Sequence, residues 1–489
     1  TSRKDESTSR LKINWETSEK TTIKLLVSRV DLNDPADIWT LDGSLNTLSD
    51  RPGMDSQKTS SYGLKIFQDL EGFELQSLTS STDTYVIFSY DADWGNEDSW
   101  SPFIYDYFSE TLRDRRTFGQ EFRLVSDAAD LKRNKKIEWI FGVSYLEIKE
   151  SNLKKDDGNY ADPSDPYGPY ASSSSSSSNY KSENFSLFGN IDYLLSETIK
   201  LSLGMRWEDW ESEYSDTLGD EFNPSNNMSG GKISLIKKIE NDTNIFVSIA
   251  KGYKQGGFNL GLGLASDSLN NNLLYDPEYL TNYELGINSK AMDPRINFSA
   301  VMFYSDREDQ QVLVSTQADP SDPNTFSFLT KNAAEGVNYG LEVNMTVDLN
   351  ESVNVFANLG LLETEIKNWK SRTDLEGRAQ AHAPKRSYAV GMNWNPSQNY
   401  YLRLDVTGKS SFYYSDSHGN QSKSYSLTNL SLGYQKDQWN AEFWVRNAFD
   451  RYYSLRGFYF GNEPPNFQDT LYERHGDPRY SGVSLRYDF

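Results

Sequence analysis

Hydrophobic positions in this chain recur with period two. Across residues 337–348, Val337, Tyr339, Leu341, Val343, Met345 and Val347 hold one parity, while Asn338, Gly340, Glu342, Asn344, Thr346 and Asp348 hold the other. The same split sets Leu201, Leu203, Met205 and Trp207 against Ser202, Gly204, Arg206 and Glu208, and Tyr283, Leu285 and Ile287 against Glu284, Gly286 and Asn288. Ala441, Phe443 and Val445 oppose Asn440, Glu442 and Arg446 in the same way. Successive side chains of a strand point to opposite faces, so the alternation predicts strands that are apolar on one face only. A helix would space its apolar positions near 3.6 residues, and these segments do not.

The connections sort into two kinds. Short polar turns fall near residues 17–20, 196–198, 241–243, 293–294, 350–351, 396–399 and 436–438, and long polar stretches occupy 31–59, 92–113, 150–179, 212–230, 255–276, 309–332, 367–383 and 456–476. Tight turns alternating with long loops are the arrangement of an outer-membrane barrel, whose turns lie in the periplasm and whose loops lie outside. The expectation is an all-β fold: a transmembrane antiparallel β-barrel of about 19 strands, with short periplasmic turns and long extracellular loops. If the final strand descends to the periplasm, counting back makes the first, residues 7–16, descend too, with Thr1 outside. Single-chain bacterial barrels keep an even strand number and both ends periplasmic, so at least one strand is expected ahead of Thr1. The serine tract 172–178 has too little apolar surface to order itself and is expected to be a mobile external loop.

Composition narrows the classes. Only 36% of the 489 residues are hydrophobic and the mean hydropathy is −0.70, so no stretch approaches the roughly 18 to 20 apolar residues of a membrane helix. A barrel tolerates this average, because its lipid-facing residues alternate with polar lumen residues. An aromatic content of 14% suits a protein that places rings at two membrane interfaces. The absence of cysteine removes disulfides, thiolate metal sites and cysteine nucleophiles together. A net charge of −22 opposes nucleic-acid binding, which needs concentrated Lys and Arg. No hydrophobic leader precedes the polar start, so processing or truncation is expected to have removed the true beginning.

Particular segments carry an identity. The chain closes Gly482-Val483-Ser484-Leu485-Arg486-Tyr487-Asp488-Phe489, and the alternation ending on Leu485, Tyr487 and Phe489 resembles the final-strand signal read by the outer-membrane assembly machinery. Gln120-Glu121-Phe122-Arg123-Leu124 resembles the QE(L/F)RL strand of TonB-dependent receptors. Ala250-Lys251-Gly252-Tyr253-Lys254-Gln255-Gly256-Gly257-Phe258-Asn259 is similar to their xGFKSGGFN segment. Asn282-Tyr283-Glu284-Leu285-Gly286, the strand opening at Ala334, Arg446-Asn447-Ala448-Phe449-Asp450 and Gly476-Asp477-Pro478-Arg479-Tyr480 follow in the family's order. The resemblance implies that residues 1–489 are the barrel domain of such a receptor, about 19 strands of a family total of about 22, with the N-terminal plug and first strands missing.

It also implies a function: capture of a scarce nutrient outside and its release into the periplasm by TonB-coupled active transport. An iron–siderophore complex is the first choice; cobalamin, haem or an oligosaccharide stay open, and a passive outer-membrane porin or channel is the rival reading. The implied partners are the TonB–ExbB–ExbD complex through the missing plug, the assembly machinery, lipopolysaccharide and lipid, and a small-molecule nutrient, with the receptor itself a monomer. No cofactor is implied.

Candidate chemistry is sparse. His382, His418 and His475 stand far apart with no HExxH spacing, so rim positions are expected rather than a metal or catalytic role. Neither GxSxG nor a phosphate-cradling loop occurs, and no enzyme activity is expected. The acidic run at residues 91–98 offers oxygen ligands but no complete calcium loop, and is expected to be solvated. Tyr253, Lys254, Gln255, Phe258 and Asn259 sit where a strand emerges, and a ring beside a cation there could grip an anionic iron chelate. The bland alternative is that Gly256 and Gly257 simply shape the loop. Arg123, Arg206, Arg403 and Arg446 fall on the polar parity and should line the lumen, paired with Glu121, Glu208, Asp405 and Glu442.

Overall fold

The computed structural model describes residues 4–126, 136–239, 243–259, 274–289, 295–317, 326–369 and 372–488. Phe489, the turn expected at 293–294 and residues 241–242 of the turn expected at 241–243 lie outside the described residues. The first strands are β1 (Glu6–Ser18), β2 (Thr21–Pro35), β3 (Met54–Leu70), β4 (Phe73–Asp91), β5 (Ile104–Ser126), β6 (Ile137–Ala161), β7 (Tyr170–Leu194) and β8 (Ile199–Asp216), with one helical turn, α1 (Glu97–Trp100), before β5. There follow β9 (Glu221–Phe222), β10 (Ser225–Ile239), β11 (Thr243–Lys254), β12 (Gly257–Phe258), β13 (Leu274–Tyr275), β14 (Glu278–Ser289), β15 (Ile296–Gln317) and β16 (Phe326–Asn350). The chain ends with β17 (Val353–Asn368), β18 (Arg386–Ser397), β19 (Tyr400–Lys409), β20 (Tyr425–Lys436), β21 (Trp439–Arg446), β22 (Ser454–Phe460), β23 (Thr470–His475) and β24 (Tyr480–Tyr487).

One antiparallel sheet of 20 strands forms the wall. Setting aside the two-residue spur β9 leaves 20 − 1 = 19 strands, the number expected, each hydrogen-bonded to its predecessor in a meander. The pairs β12–β13 and β22–β23 are separate hairpins inside loops. The first strand, expected at residues 7–16, is Glu6–Ser18.

Register explains the alternation. Residues directly opposite in an antiparallel ladder share a face. Leu285 lies opposite Met302 and Met302 opposite Leu341, an apolar row in which Leu285 is 50% and Met302 60% exposed. Large apolar side chains so exposed on one face belong against lipid. Tyr283, Tyr304 and Tyr339 form the next row, with ring centroids 6.3 and 6.4 Å apart. Towards the tight turns the band ends in Tyr400 against Tyr434 and Trp439 against Tyr487, at 4.9 and 4.8 Å. Aromatic rows at both margins of an apolar band mark the two membrane interfaces. On the opposite face rings lie across glycines: a Cβ at Gly433 would fall inside the ring of Tyr401.

Three expectations change. Strands run well into the stretches expected to be loops: β6 and β7 reach Ala161 and Tyr170, and β15 reaches Gln317. A ladder satisfies backbone groups in water without apolar alternation, so the hydrophobic pattern stops where the membrane ends and the strand does not. For the same reason the serine tract is not a loop. Ser172 to Ser178 pair rung by rung with Gly158 to Asn152, because the backbone ladder makes no demand on the side chain. The acidic run is solvated only in its second half: Glu97 and Asp98 are exposed, but Asp91 is fully buried and Asp93 is 1% exposed. Asp93 accepts hydrogen bonds from the Gly95 and Tyr107 amides and from the Trp100 indole at 3.0, 2.9 and 2.7 Å, which compensates its burial.

No ladder joins β1 to β24 among the described residues, yet the two ends of the meander meet outside the membrane. Trp39, between β2 and β3, stacks on Phe458 of β22 at 4.4 Å. Trp94 meets Phe460 and Tyr472 edge-on, and the Tyr105 hydroxyl donates to Asn462 at 3.0 Å. Asn462 in turn donates to the Asp93 carbonyl at 2.9 Å. These contacts form a clasp between the first extracellular loops and the last.

Placing a charge in the apolar band tests its assignment to lipid. Leu285→Arg is expected to cost about 2–4 kcal/mol in folding measured by denaturant titration in bilayers. The same change at Asn288, on the other parity, should cost less than about 1 kcal/mol; equal penalties would refute the assignment of faces.

Candidate functional site

The segment after β11 is built by close approach. A Cβ at Gly256 would sit 2.6 Å from the Tyr275 carbonyl oxygen, and one at Gly257 2.5 Å from the Tyr275 hydroxyl, so only glycine lets β12 lie against β13. The Asn259 carboxamide then docks on β16, donating to the Thr330 carbonyl at 2.9 Å and accepting from the Thr330 amide at 2.7 Å. That pair of bonds imitates one rung of a ladder. Phe258 enters an aromatic cluster with Tyr214, Phe222 and Tyr180, at 5.0, 5.6 and 5.9 Å. Lys254 and Gln255 are exposed. The Gln255 carbonyl accepts from the Gln311 side chain at 2.8 Å, which ties this rim to β15.

Below it lies a charge network on the polar face. The Glu208 carboxylate, 11% exposed, accepts from Arg206 at 2.8 Å, from Asn184 at 2.8 Å and from the Tyr253 hydroxyl at 3.1 Å. Arg206 also faces the ring of Phe188 at 5.8 Å. Arg123 pairs with Glu121, and Arg403 with Asp405 at 3.3 Å. Arg446 differs: its guanidinium lies 5.8 Å from the Trp444 ring, and Glu442 accepts from Tyr401 instead at 2.7 Å. Tyr253, Arg206, Asn184 and Gln255 thus come together, since Asn184 also reaches Gln255 at 3.4 Å. Arg123, Arg403 and Arg446 stand on other strands, away from that cluster.

Sequence reasoning missed Glu278. Its carboxylate accepts from Arg307 at 2.9 Å and from the Gln311 amide at 2.8 Å, and locks the bases of two loops. No spacing marks it out, because it is one more polar residue on a polar parity. The histidines stay apart. His418 lies against Tyr459 at 5.6 Å, and burial, followed by the nearby Arg378, holds its imidazole below the ordinary range. His475 lies tilted against Tyr452 at 4.2 Å, and His382 lies 5.6 Å from Phe412. Among the described residues no cluster of acidic or histidine side chains is arranged to hold a metal ion.

The family model described as TonB dependent receptor-like, beta-barrel, matches residues 11–448. The chain belongs to this family of TonB-dependent receptor β-barrels. These are transport receptors of the Gram-negative outer membrane, not enzymes. The chain is 26% identical over 178 residues to the probable TonB-dependent siderophore receptor PiuA of Acinetobacter baumannii, covering 35% of this chain and 22% of that protein. It is 22% identical over 319 residues to the pesticin receptor of Yersinia pestis, covering 63% and 44%. The chain therefore spans less than half the length of these curated relatives. Among solved structures, the ferric yersiniabactin uptake receptor FyuA of Yersinia pestis superposes with a TM-score of 0.76 at 17% identity, over 99% of this chain and 71% of that one. The siderophore receptor PiuA of Acinetobacter baumannii superposes with a TM-score of 0.73 at 16% identity, over 99% and 74%.

Removing the shared acceptor tests the network in this TonB-dependent receptor barrel. Glu208→Ala strands Arg206, Asn184 and Tyr253 and is expected to lower unfolding stability by about 2 kcal/mol. Glu208→Gln, which keeps one acceptor oxygen, should lose roughly half of that; two variants as stable as the parent would show that the network carries no stability.

Proposed function

We propose that this chain is the transport barrel of a receptor that takes up an anionic ferric siderophore, with TonB supplying the energy. The observation that carries this reading is the mouth of the lumen, where Phe258 groups with Tyr214 and Phe222, four residues along the chain from the exposed Lys254. Rings and a cation carried on one short segment suit a ligand that is flat, partly apolar and negatively charged. The names of the relatives agree with it: a probable siderophore receptor, PiuA, a ferric yersiniabactin uptake receptor, FyuA, and a ferric-pyoverdine 358 receptor of Pseudomonas putida.

Within this reading Lys254 and Phe258 touch the ligand, and Tyr253 and Gln255 shape the wall beneath it. Asn259 has both ends of its carboxamide engaged by Thr330, so it supports the site by holding Phe258 in place. Arg206, already bound to Glu208, contributes structure more than charge. The partners in this reading are the TonB–ExbB–ExbD complex, reached through a plug, and the lipid and lipopolysaccharide around the wall.

The test is uptake of radioactive iron loaded on a panel of siderophores, in the source bacterium with the gene deleted and then restored. The expected result is loss of uptake for one siderophore class on deletion, and the same loss when TonB is removed. Uptake that persists without TonB would replace this reading with a passive channel. Lys254→Ala should weaken binding of the same siderophore by about 0.5–1 kcal/mol, or roughly two- to fivefold in Kd, with folding unchanged.

A further inference from the structure

The clasp outside the membrane is built on two carboxylates that burial would ordinarily forbid. Asp91 lies at the end of β4, eight residues beyond Asp83, whose ion pair with Arg116 at 3.6 Å marks the charged surface above the apolar band. Its Oδ1 accepts from the Asp93 and Trp94 amides at 3.3 and 3.2 Å. Its Oδ2 is buried with no hydrogen-bond partner. Asp93, two residues on, accepts from three N–H donors, the Gly95 and Tyr107 amides and the Trp100 indole.

The surroundings are acidic from every side. From the loop between β2 and β3, Asp37 accepts the Asp91 amide at 3.0 Å, and Asp50 lies close enough to feel Asp93 and Asp106. Glu97 of α1 adds to the same field. Asp106 of β5 and Asp157 of β6 share a cation, Arg51, at 3.1 and 2.8 Å, and Arg456 lies over the Phe458 ring at 5.1 Å. Glu463, from the last loop, accepts from Tyr472 at 2.9 Å. A second full negative charge beside Asp93 would meet no cation among the described residues, only the Asp93 and Trp94 amides and the Ser49 hydroxyl. Trp94 adds to the tension by adopting a left-handed φ of 64° to bring its ring onto Phe460 and Tyr472.

We propose that Asp91 carries a proton in the closed clasp, and that its ionisation releases the first extracellular loops from the last. The clasp is then a latch that alkali opens. Burial, and after it the charge of Asp93, pushes the Asp91 carboxyl up to about 7 from an ordinary 3.8. The closed state thus binds this proton more tightly than the open state. Its advantage is complete in acid, falls as pH rises towards 7, and is gone above it. Between pH 5 and 7 the closed-to-open ratio should fall about tenfold per pH unit, and it should level off beyond. A neutral side chain of the same shape should hold the latch shut throughout.

Hydrogen exchange of the whole receptor in detergent tests this, read on the peptides covering residues 91–108 and 454–475 from pH 5 to 9 and corrected for intrinsic exchange. Strands β18 to β20 serve as the internal reference. The expected result is exchange in the clasp that rises towards pH 7 and then levels, while Asp91→Asn stays slow and flat. A flat profile in the unmodified receptor overturns the proposal, and so does a pH dependence that survives in Asp91→Asn. If the variant fails to insert, the unmodified profile decides alone. Calcium added at pH 8 distinguishes the occupant: protection restored by calcium and lost to a chelator would assign the site to a cation and overturn the proton.

Discussion

Inside a bilayer no water is available to a peptide group, so each N–H and C=O of the wall must find its partner in the next strand. Much of this structure follows from that obligation. It fixes a meander of neighbouring strands from β1 to β24, in which sequence neighbours are spatial neighbours at every step of the wall. It also frees the side chains from holding the sheet together. One parity can then be surrendered to lipid and the other to a polar interior, which is why a chain of mean hydropathy −0.70 can cross a membrane with strands.

The polar interior brings its own requirement. Charges facing a lumen are partly desolvated, and they are stable where each finds an opposite charge or several donors. Glu208 binds Arg206, Asn184 and Tyr253; Glu278 binds Arg307 and Gln311; Asp405 binds Arg403 and accepts from Asn429. Acids act as hubs in all three cases, consistent with a chain that carries 71 acidic against 49 basic side chains. The surplus is absorbed by amides and hydroxyls of neighbouring strands, so the wall is cross-braced on its inner face as well as through its backbone.

The wall was legible in the sequence because lipid imposes period two on it. The rows Tyr283–Tyr304–Tyr339 and Leu285–Met302–Leu341 could be anticipated strand by strand, though not which residues would stand side by side. The mouth was legible in part: the glycines at 256 and 257 announce a close approach, but nothing announces that Asn259 will clamp Thr330, 71 residues away. The clasp was not legible. Tyr105 and Asn462 are 357 residues apart, and in water neither side chain follows a periodic rule. The serine tract misled for a related reason. Composition reports what side chains can bury, and a ladder between two strands in water asks only that the backbones align.

The contact of Tyr401 with Gly433 has a bearing on how such a barrel can change over time. The ring occupies the volume that any Cβ at position 433 would need. Substitution of Gly433 therefore forces the Tyr401 ring out of its place, whereas Tyr401 can be shortened first and leaves an open space behind it. The two positions form a ratchet: divergence runs through loss of the ring before gain of the side chain, and a lineage that has filled position 433 cannot easily regain an aromatic at 401.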